Sequence, residues 1–155
     1  MNRQLIERST AMLERIQGWL NRHSVDVLRV SLGLVFLGFG LLKFFPGVSP
    51  AEDLAIRTVD TLTFGIVSGQ AALFLTAAVE SFIGFTLVSG KMVRTGLSVL
   101  AVALVGILSP LVLFFGDLFP SAPTLEAQYV FKDIVLAAAA MVIGATTLGS
   151  RLRPD

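Results

Sequence analysis

Four ionisable side chains interrupt long apolar stretches of this sequence, and they are the residues best suited to chemistry: Lys43, Glu80, Lys132 and Asp133. A charged group at membrane depth costs about 2.5–3.5 kcal/mol on insertion scales, so it persists where it has a partner or a task. An acid and an ammonium group can form an ion pair, hold the polar head of a ligand or pass a proton. We predict that the four residues form a ligand-binding or proton-handling site. A purely structural pairing of Glu80 with Lys43 or Lys132 is the alternative.

The composition excludes several classes of chemistry. The 155 residues are 54% apolar and 15% charged, and they include no cysteine and one histidine. Without cysteine the chain has no dithiol chemistry, thiolate metal site, iron–sulfur cluster or disulfide. The histidine, His23, lies outside the apolar runs, which excludes a bis-histidine haem or zinc site within one chain. Because Gly-rich phosphate loops and nucleic-acid signatures are also absent, we expect no metal, no covalently bound cofactor, no catalytic residue and no nucleic-acid partner.

Four apolar segments are long enough to cross a bilayer, which takes about 20 residues. They cover about residues 25–45, 69–89, 95–115 and 127–148. Ser109-Pro110 interrupts the third segment, because proline removes a helical hydrogen bond and bends the helix. The sequence therefore predicts an all-α fold, a polytopic membrane four-helix bundle, with one transmembrane domain over residues 24–150.

Basic residues lie mainly on one side of these spans. Eight of them precede the first span, join the second to the third or follow the fourth: Arg3, Arg8, Arg15, Arg22, Lys91, Arg94, Arg151 and Arg153. Since cytoplasmic loops carry the excess of lysine and arginine, both termini are predicted to be cytoplasmic. The first apolar run starts too late and is too long for a cleavable signal peptide, so we expect the first span to stay in the mature protein.

Two segments outside the spans have patterns of their own. Residues 4–22 repeat weakly every seven residues, with apolar residues on one stripe and glutamate and arginine on its flanks. We predict that residues 1–23 form an amphipathic helix at the cytoplasmic leaflet, with its arginines near anionic lipid. A coiled-coil contact with a partner and disorder are the alternatives. Residues 151–155 are predicted to form a cytoplasmic tail.

A shorter amphipathic helix is predicted to begin at Ser49-Pro50-Ala51-Glu52 and to continue to about Leu62 on the outer surface. Ser49 can cap this helix, Pro50 suits its first turn, and Glu52 can reach back to the cap. The helix either covers a pocket between the spans or serves as a connector at the interface.

Helix geometry predicts how the polar side chains meet. Side chains lean toward the N-terminus of their helix, so Glu80 leans outward while Lys43 leans inward, toward the depth of Glu80. Lys132 leans outward and can snorkel to the surface. Asp133 points about 100° away from Lys132 around the helix, so we do not expect both to face one partner.

Further residues are predicted to support or surround the site. Pro110, Gln128 and Tyr129 lie near the depth of the polar residues. Phenylalanines gather at the outer ends of the spans, which is typical of an interfacial girdle, with stacking around a flat ligand as the alternative: Phe44, Phe45, Phe114, Phe115, Phe119 and Phe131. Small residues recur on all four spans and indicate close helix packing: Gly33, Gly40, Ala77, Gly84, Gly106, Ala140 and Gly144.

Four motifs, one in each span, resemble those of DoxX-like membrane proteins. They are Gly40-Leu-Leu-Lys43-Phe44, Val79-Glu80 followed by Ile83-Gly84, Ser109-Pro110-Leu111, and Val130-Phe131-Lys132-Asp133. Together they are similar to the YkgB branch, which includes the reactive-chlorine-resistance protein RclC, over residues 25–150. The resemblance implies a multi-pass four-helix bundle in the bacterial inner membrane, with the four ionisable residues at the branch's polar positions. It also implies support of a redox or oxidative-stress-resistance process, often beside a partner protein.

Three functions fit these observations. The leading hypothesis is a small membrane protein that binds a hydrophobic or quinone-like ligand in its outward half, with electrons supplied by a redox partner. One alternative is a non-catalytic scaffold that holds a partner enzyme through the N-terminal helix. The other is a transporter of a small solute, which would act as a homo-oligomer because four spans are few for alternating access. We expect no catalytic activity of the chain itself, unless it serves as the membrane subunit of an oxidoreductase.

Overall fold

Helices make up most of the residues that the computed structural model describes, which are 3–49 and 51–150, with side chains from Arg8 onward. No β-strand occurs among these residues. Seven helices follow one another: α1 (Arg3–Leu42), α2 (Glu52–Leu62), α3 (Gly69–Ser89), α4 (Val93–Leu108), α5 (Pro110–Leu113), α6 (Phe115–Leu118) and α7 (Leu125–Thr147). Four stretches are long and apolar enough to cross a membrane: Arg8–Leu42, Gly69–Ser89, Val93–Leu113 and Leu125–Thr147. The predicted all-α membrane bundle is confirmed.

Helix α1 is longer than a membrane span. Its 40 residues form one uninterrupted helix, which at 1.5 Å per residue extends about 60 Å, roughly twice the hydrocarbon thickness of a bilayer. The segment predicted to lie on the cytoplasmic leaflet therefore continues directly into the first span. Its apolar stripe is exposed, with Met12 and Leu13 each 64% and Trp19 50% accessible. Contact of this stripe with lipid stays a prediction, and the predicted tail at 151–155 lies outside the described residues.

Glycines allow α1 and α3 to pack with their backbones almost in contact. A Cβ atom added at Gly84 would strike the backbone nitrogen of Leu37 on α1, and one added at Gly33 would lie 2.9 Å from the backbone nitrogen of Val88. At Gly40 the same atom would lie 2.6 Å from the backbone nitrogen of Ser81. We call this contact the α1–α3 seam. Gly144, by contrast, has no described neighbour within 4 Å of an added Cβ, so close packing does not explain it.

Two apolar clusters hold the bundle together. The first joins the four long helices through Leu32, Phe36, Ile83, Leu87, Leu100 and Ile143. The second lies at the end of the bundle that carries α2, which we call the α2 end, and it consists of Leu54, Phe114, Leu118, Ala127 and Val130. The second cluster fastens α2 to the bundle. Phe114 is 9% exposed within it, so its predicted place in a lipid-facing girdle is wrong, whereas Phe44, Phe45, Phe115 and Phe131 are exposed.

The third span is interrupted at Ser109-Pro110, as predicted. Helix α4 ends at Leu108 and α5 begins at Pro110. The Ser109 amide donates to the carbonyls of Val105 and Gly106, and its hydroxyl donates to the Gly106 carbonyl at 2.7 Å. The bonds to Gly106 satisfy the carbonyl that Pro110, which has no N–H, leaves without its regular helical partner.

The start of α2 differs from its prediction. The cap position is Ala51, and the Ser49 hydroxyl is buried without a hydrogen-bond partner among the described residues. Glu52 does reach back, but its Oε2 accepts from the amide of Gly47 at 2.7 Å. The predicted cap by Ser49 is wrong because the cap position lies two residues later, at Ala51. Pro50 lies outside the described residues.

We expect Gly84→Ala to lower the free energy of unfolding by about 1–3 kcal/mol, because the added methyl group must push α1 and α3 apart. The matched control is Gly38→Ala on α1, where an added Cβ has no described neighbour within 4 Å. That change should be neutral or stabilising by up to about 1 kcal/mol, since alanine is the better helix former. Unfolding of both variants in detergent micelles checks this, and equal stability of the two would contradict the α1–α3 seam.

Candidate functional site

A buried ion pair joins α3 to the residue that follows α1. The Lys43 Nζ atom donates to Glu80 Oε2 at 2.7 Å. The two residues are 4% and 8% exposed. Each charge thus has its partner inside the protein. This agrees with the alternative prediction, in which Glu80 forms a structural pair with Lys43 or Lys132.

The α1–α3 seam explains why these two side chains meet. Lys43 lies in the turn directly after α1, where its amide donates to the Gly40 carbonyl at 3.2 Å. Gly40 contacts the backbone of α3 at Ser81, and an added Cβ there would lie 3.0 Å from the Glu80 Cβ. A side chain at position 40 would separate the helices and move Lys43 away from Glu80.

Aromatic rings hold the second lysine. Lys132 Nζ lies 4.1 Å from the centroid of the Phe39 ring and 4.9 Å from that of Tyr129, both suitable for cation–π attraction. Lys43 Nζ lies 5.7 Å from the same Phe39 ring. Both ammonium groups therefore approach one aromatic ring on α1.

Lys132 and Asp133 are closer in space than their positions on the helix predict. Lys132 Nζ lies 4.0 Å from Asp133 Oδ1, and both residues line the same cavity. The expectation that they would face apart is wrong, because the long lysine side chain bends across the helix surface toward Phe39. The side chain of Lys132 is 40% exposed, so it is less enclosed than Lys43.

A cavity of about 270 Å³ brings the four ionisable residues together. Its walls come from α1, α2, α3, α4, α5 and α7, and besides those four residues its polar side chains are Thr58, Thr76 and Tyr129. The hydroxyls of Thr58 and Thr76 donate to carbonyls of their own helices. Most other lining residues are apolar, including Phe36, Leu54, Val79, Ile107 and Leu136.

The predicted supporting residues divide into two groups. Pro110 and Tyr129 line the cavity, whereas Gln128 is exposed and is not among its lining residues. Phe39, Thr58 and Thr76 line it but were not singled out from the sequence. For Phe39 a signal existed, since it precedes Lys43 by four residues and so shares its helix face.

Helix α2 forms one wall of the cavity through Leu54, Ala55, Thr58, Val59 and Leu62. On its other side, Arg57 Nη2 pairs with Asp117 Oδ2 at 2.7 Å. The Arg57 guanidinium also lies 4.1 Å from the centroid of the Phe114 ring. These contacts tie α2 to the segment around α6, and α2 is therefore a cover over the cavity as well as a connector.

The charges in the cavity favour an uncharged ligand. Two lysines and two acids give no formal net charge, so a strongly charged ligand would leave one charge without compensation. The site nevertheless offers ammonium donors, carboxylate acceptors and aromatic faces beside apolar walls. Among the described side chains, those of residues 8–49 and 51–150, no three from His, Cys, Asp or Glu form a group that could hold a metal ion.

The fold and the site define a multi-pass membrane protein with a partly polar cavity inside a helical bundle. The DoxX family model matches residues 24–117, and the chain belongs to the DoxX family. The match includes Lys43, Glu80 and Pro110, whereas Tyr129, Lys132 and Asp133 on α7 lie beyond it. Comparisons with curated proteins and with solved structures each give no match.

We expect Glu80→Leu alone to lower the free energy of unfolding by about 3–5 kcal/mol, because it leaves the Lys43 charge buried without a partner. Adding Lys43→Met should restore much of this loss, since an apolar pair of similar volume replaces the ion pair. The control is Asp117→Asn, which breaks an exposed pair and should change stability by less than about 1 kcal/mol. Unfolding in detergent micelles is measured for the unmodified protein, the single variants Glu80→Leu and Lys43→Met, their double variant and Asp117→Asn. A double variant as unstable as the sum of its two single changes would refute the pairing.

Proposed function

We propose that this DoxX family protein binds an uncharged, hydrophobic ligand with a quinone-like polar head in the cavity between its spans. The observation that carries the proposal is the cavity itself. It combines apolar walls with four ionisable side chains of no formal net charge and an aromatic ring, Phe39, beside both lysines. Ligand pockets are typically apolar with a few well-placed polar groups, which is the pattern found here.

Each polar residue has a specific role in this proposal. Lys132 donates a hydrogen bond to a ligand carbonyl oxygen, because its Nζ donates to no residue that the structure describes and only approaches Asp133 at 4.0 Å. Asp133 accepts from a ligand hydroxyl, as present on a reduced quinone. Tyr129 and Phe39, whose rings meet edge to face at 6.2 Å, contact the ring of the ligand. In this proposal Lys43 and Glu80 form part of the cavity wall, and Glu80 exchanges a proton with the polar head of the ligand.

The proposal extends to the cellular process. The chain contains no cysteine and carries no recognisable motif for a bound redox group, so electrons would come from a redox partner protein. The resemblance to the YkgB branch with RclC supports a role in a redox or oxidative-stress-resistance process. The same resemblance supports a bacterial inner-membrane location, and the distribution of lysine and arginine supports an orientation with both termini in the cytoplasm.

A second function, scaffolding of a partner enzyme, is favoured by one observation. Helix α1 extends about 30 Å beyond a single bilayer span, and it exposes Met12, Leu13, Ile16, Trp19 and Leu20 there. Exposed apolar stripes of this kind often contact another protein. If scaffolding is the function, removing residues 1–22 releases the partner and leaves ligand binding at the cavity unchanged.

The ligand hypothesis is tested with the tailless ubiquinone headgroup as the probe. We expect saturable binding to the purified protein, measured by equilibrium dialysis. Lys132→Gln should weaken it about tenfold, because a hydrogen bond from a charged donor contributes roughly 1.5–3 kcal/mol. Lys91→Gln is the matched control, since Lys91 is exposed and lies outside the cavity lining. Absence of saturable binding, or equal affinity of the two variants, would argue against the proposal.

A further inference from the structure

We propose that the ligand carries a long apolar tail, and that this tail leaves the cavity sideways through a groove between α3 and α4 into the bilayer. This inference rests on the proposed function, and it adds a lipid-resident ligand class and a route to the site. The groove, which we call the α3–α4 groove, is lined by Val79, Ser98, Val99, Val102 and Ala103.

The α3–α4 groove adjoins the cavity. Val79 on α3 and Ala103 on α4 line both of them. These two side chains therefore form part of the wall between the interior site and a depression on the outside of the bundle. Both are modest in size, so small movements of their side chains would connect the two spaces.

The chemistry of the α3–α4 groove suits a hydrocarbon chain. Four of its five lining residues are apolar, and the hydroxyl of Ser98 already donates to the Arg94 carbonyl at 3.0 Å. Val102 is 74% exposed on a membrane-spanning helix, so lipid chains are its natural surroundings. A polar head would find no free partner in this groove.

The depth of the junction agrees with this arrangement. Val79 follows Gly69, the first residue of α3, by ten positions, and Ala103 follows Val93, the first residue of α4, by ten positions. At 1.5 Å per residue each lies about 15 Å along its helix, which is half the hydrocarbon thickness. The junction therefore lies near the middle of both spans, at the depth of Glu80, which directly follows Val79. A tail that leaves the cavity there enters the hydrocarbon region of the bilayer.

The cavity is too small to hold a long apolar tail together with the ring of the ligand. Its volume of about 270 Å³ lies just below the range of small-molecule pockets, which hold roughly 300–1,000 Å³. A ring with its substituents fits such a space, but a ring with a long tail does not. A tailed ligand can occupy the site only if its tail lies elsewhere, and the α3–α4 groove opens directly onto lipid.

The experiment compares two probes, the tailless ubiquinone headgroup and decyl-ubiquinone, on the full-length protein in phospholipid nanodiscs. Val99→Phe and Val102→Phe each narrow the α3–α4 groove, and neither residue lines the cavity. Ala101→Phe is the matched control, because Ala101 is exposed on the same helix and lines neither space. Two groove variants are used because Val99 packs partly against the core, whereas Val102 faces outward and its substitution leaves the core unchanged.

We expect the groove variants to bind decyl-ubiquinone about tenfold more weakly, because the tail clashes with the added ring. Their affinity for the tailless headgroup should stay within about twofold of the unmodified protein. Equal effects of Ala101→Phe and the groove variants on the tailed probe would overturn the inference while leaving the proposed function intact. If neither probe binds the unmodified protein, the proposed function itself fails. If a phospholipid competes for the site as well as unlabelled decyl-ubiquinone does, the α3–α4 groove does accept an apolar tail, but the proposed quinone-like head is wrong.

Discussion

One buried ion pair, between Lys43 after α1 and Glu80 in the middle of α3, is the interaction on which the site depends. Neither charge is stable alone at membrane depth, because hydrocarbon offers no water to solvate it. Together, at 2.7 Å, they satisfy each other and restrict α1 and α3 to the register in which they meet. The glycines at 33, 40 and 84 permit this register, since they let the two backbones approach closely. The close packing that these glycines allow thus brings the two charges within reach of each other.

The cavity follows from the way the remaining helices pack against that pair. With α1 and α3 held together, α7 brings Lys132 and Asp133 to the same cavity, and the third span is interrupted before Pro110, which lines it. Helix α2 covers the opening and is fastened by Arg57 to Asp117 and Phe114. The result is a site whose four charges cancel formally, and this balance favours a neutral ligand with a polar head over an ion.

The sequence was sufficient to predict those features that depend on one large free-energy term, the cost of placing polar or charged groups in lipid. Hydropathy and length predicted four spans and the all-α bundle, and the cost of isolated charges in lipid pointed to either Lys43 or Lys132 as the partner of Glu80. Features set by three-dimensional packing escaped it. The angle between neighbouring helix positions did not predict that the Lys132 ammonium would lie over the Phe39 ring. The motif at Ser49 did not predict that Ala51 is the cap residue of α2. Phe114 looked like a lipid-facing ring because sequence pattern cannot show that Arg57 and α2 lie over it. The sequence also did not predict that α1 continues without a break through residue 23. The polar composition there suggested a boundary between an interfacial helix and the first span, although the sequence has no proline or glycine at that point.

The most direct measurement of the central claim is the proximity of positions 43 and 80 inside the folded protein. Because the chain has no native cysteine, Lys43→Cys combined with Glu80→Cys supplies the only two thiols, and dibromobimane becomes strongly fluorescent when it links two neighbouring thiols. We expect a fluorescent intramolecular adduct for this pair in membranes. We expect no such adduct for Lys43→Cys combined with Ser98→Cys near the start of α4. Labelling of each single cysteine without any linked product at positions 43 and 80 would contradict the shared interior site.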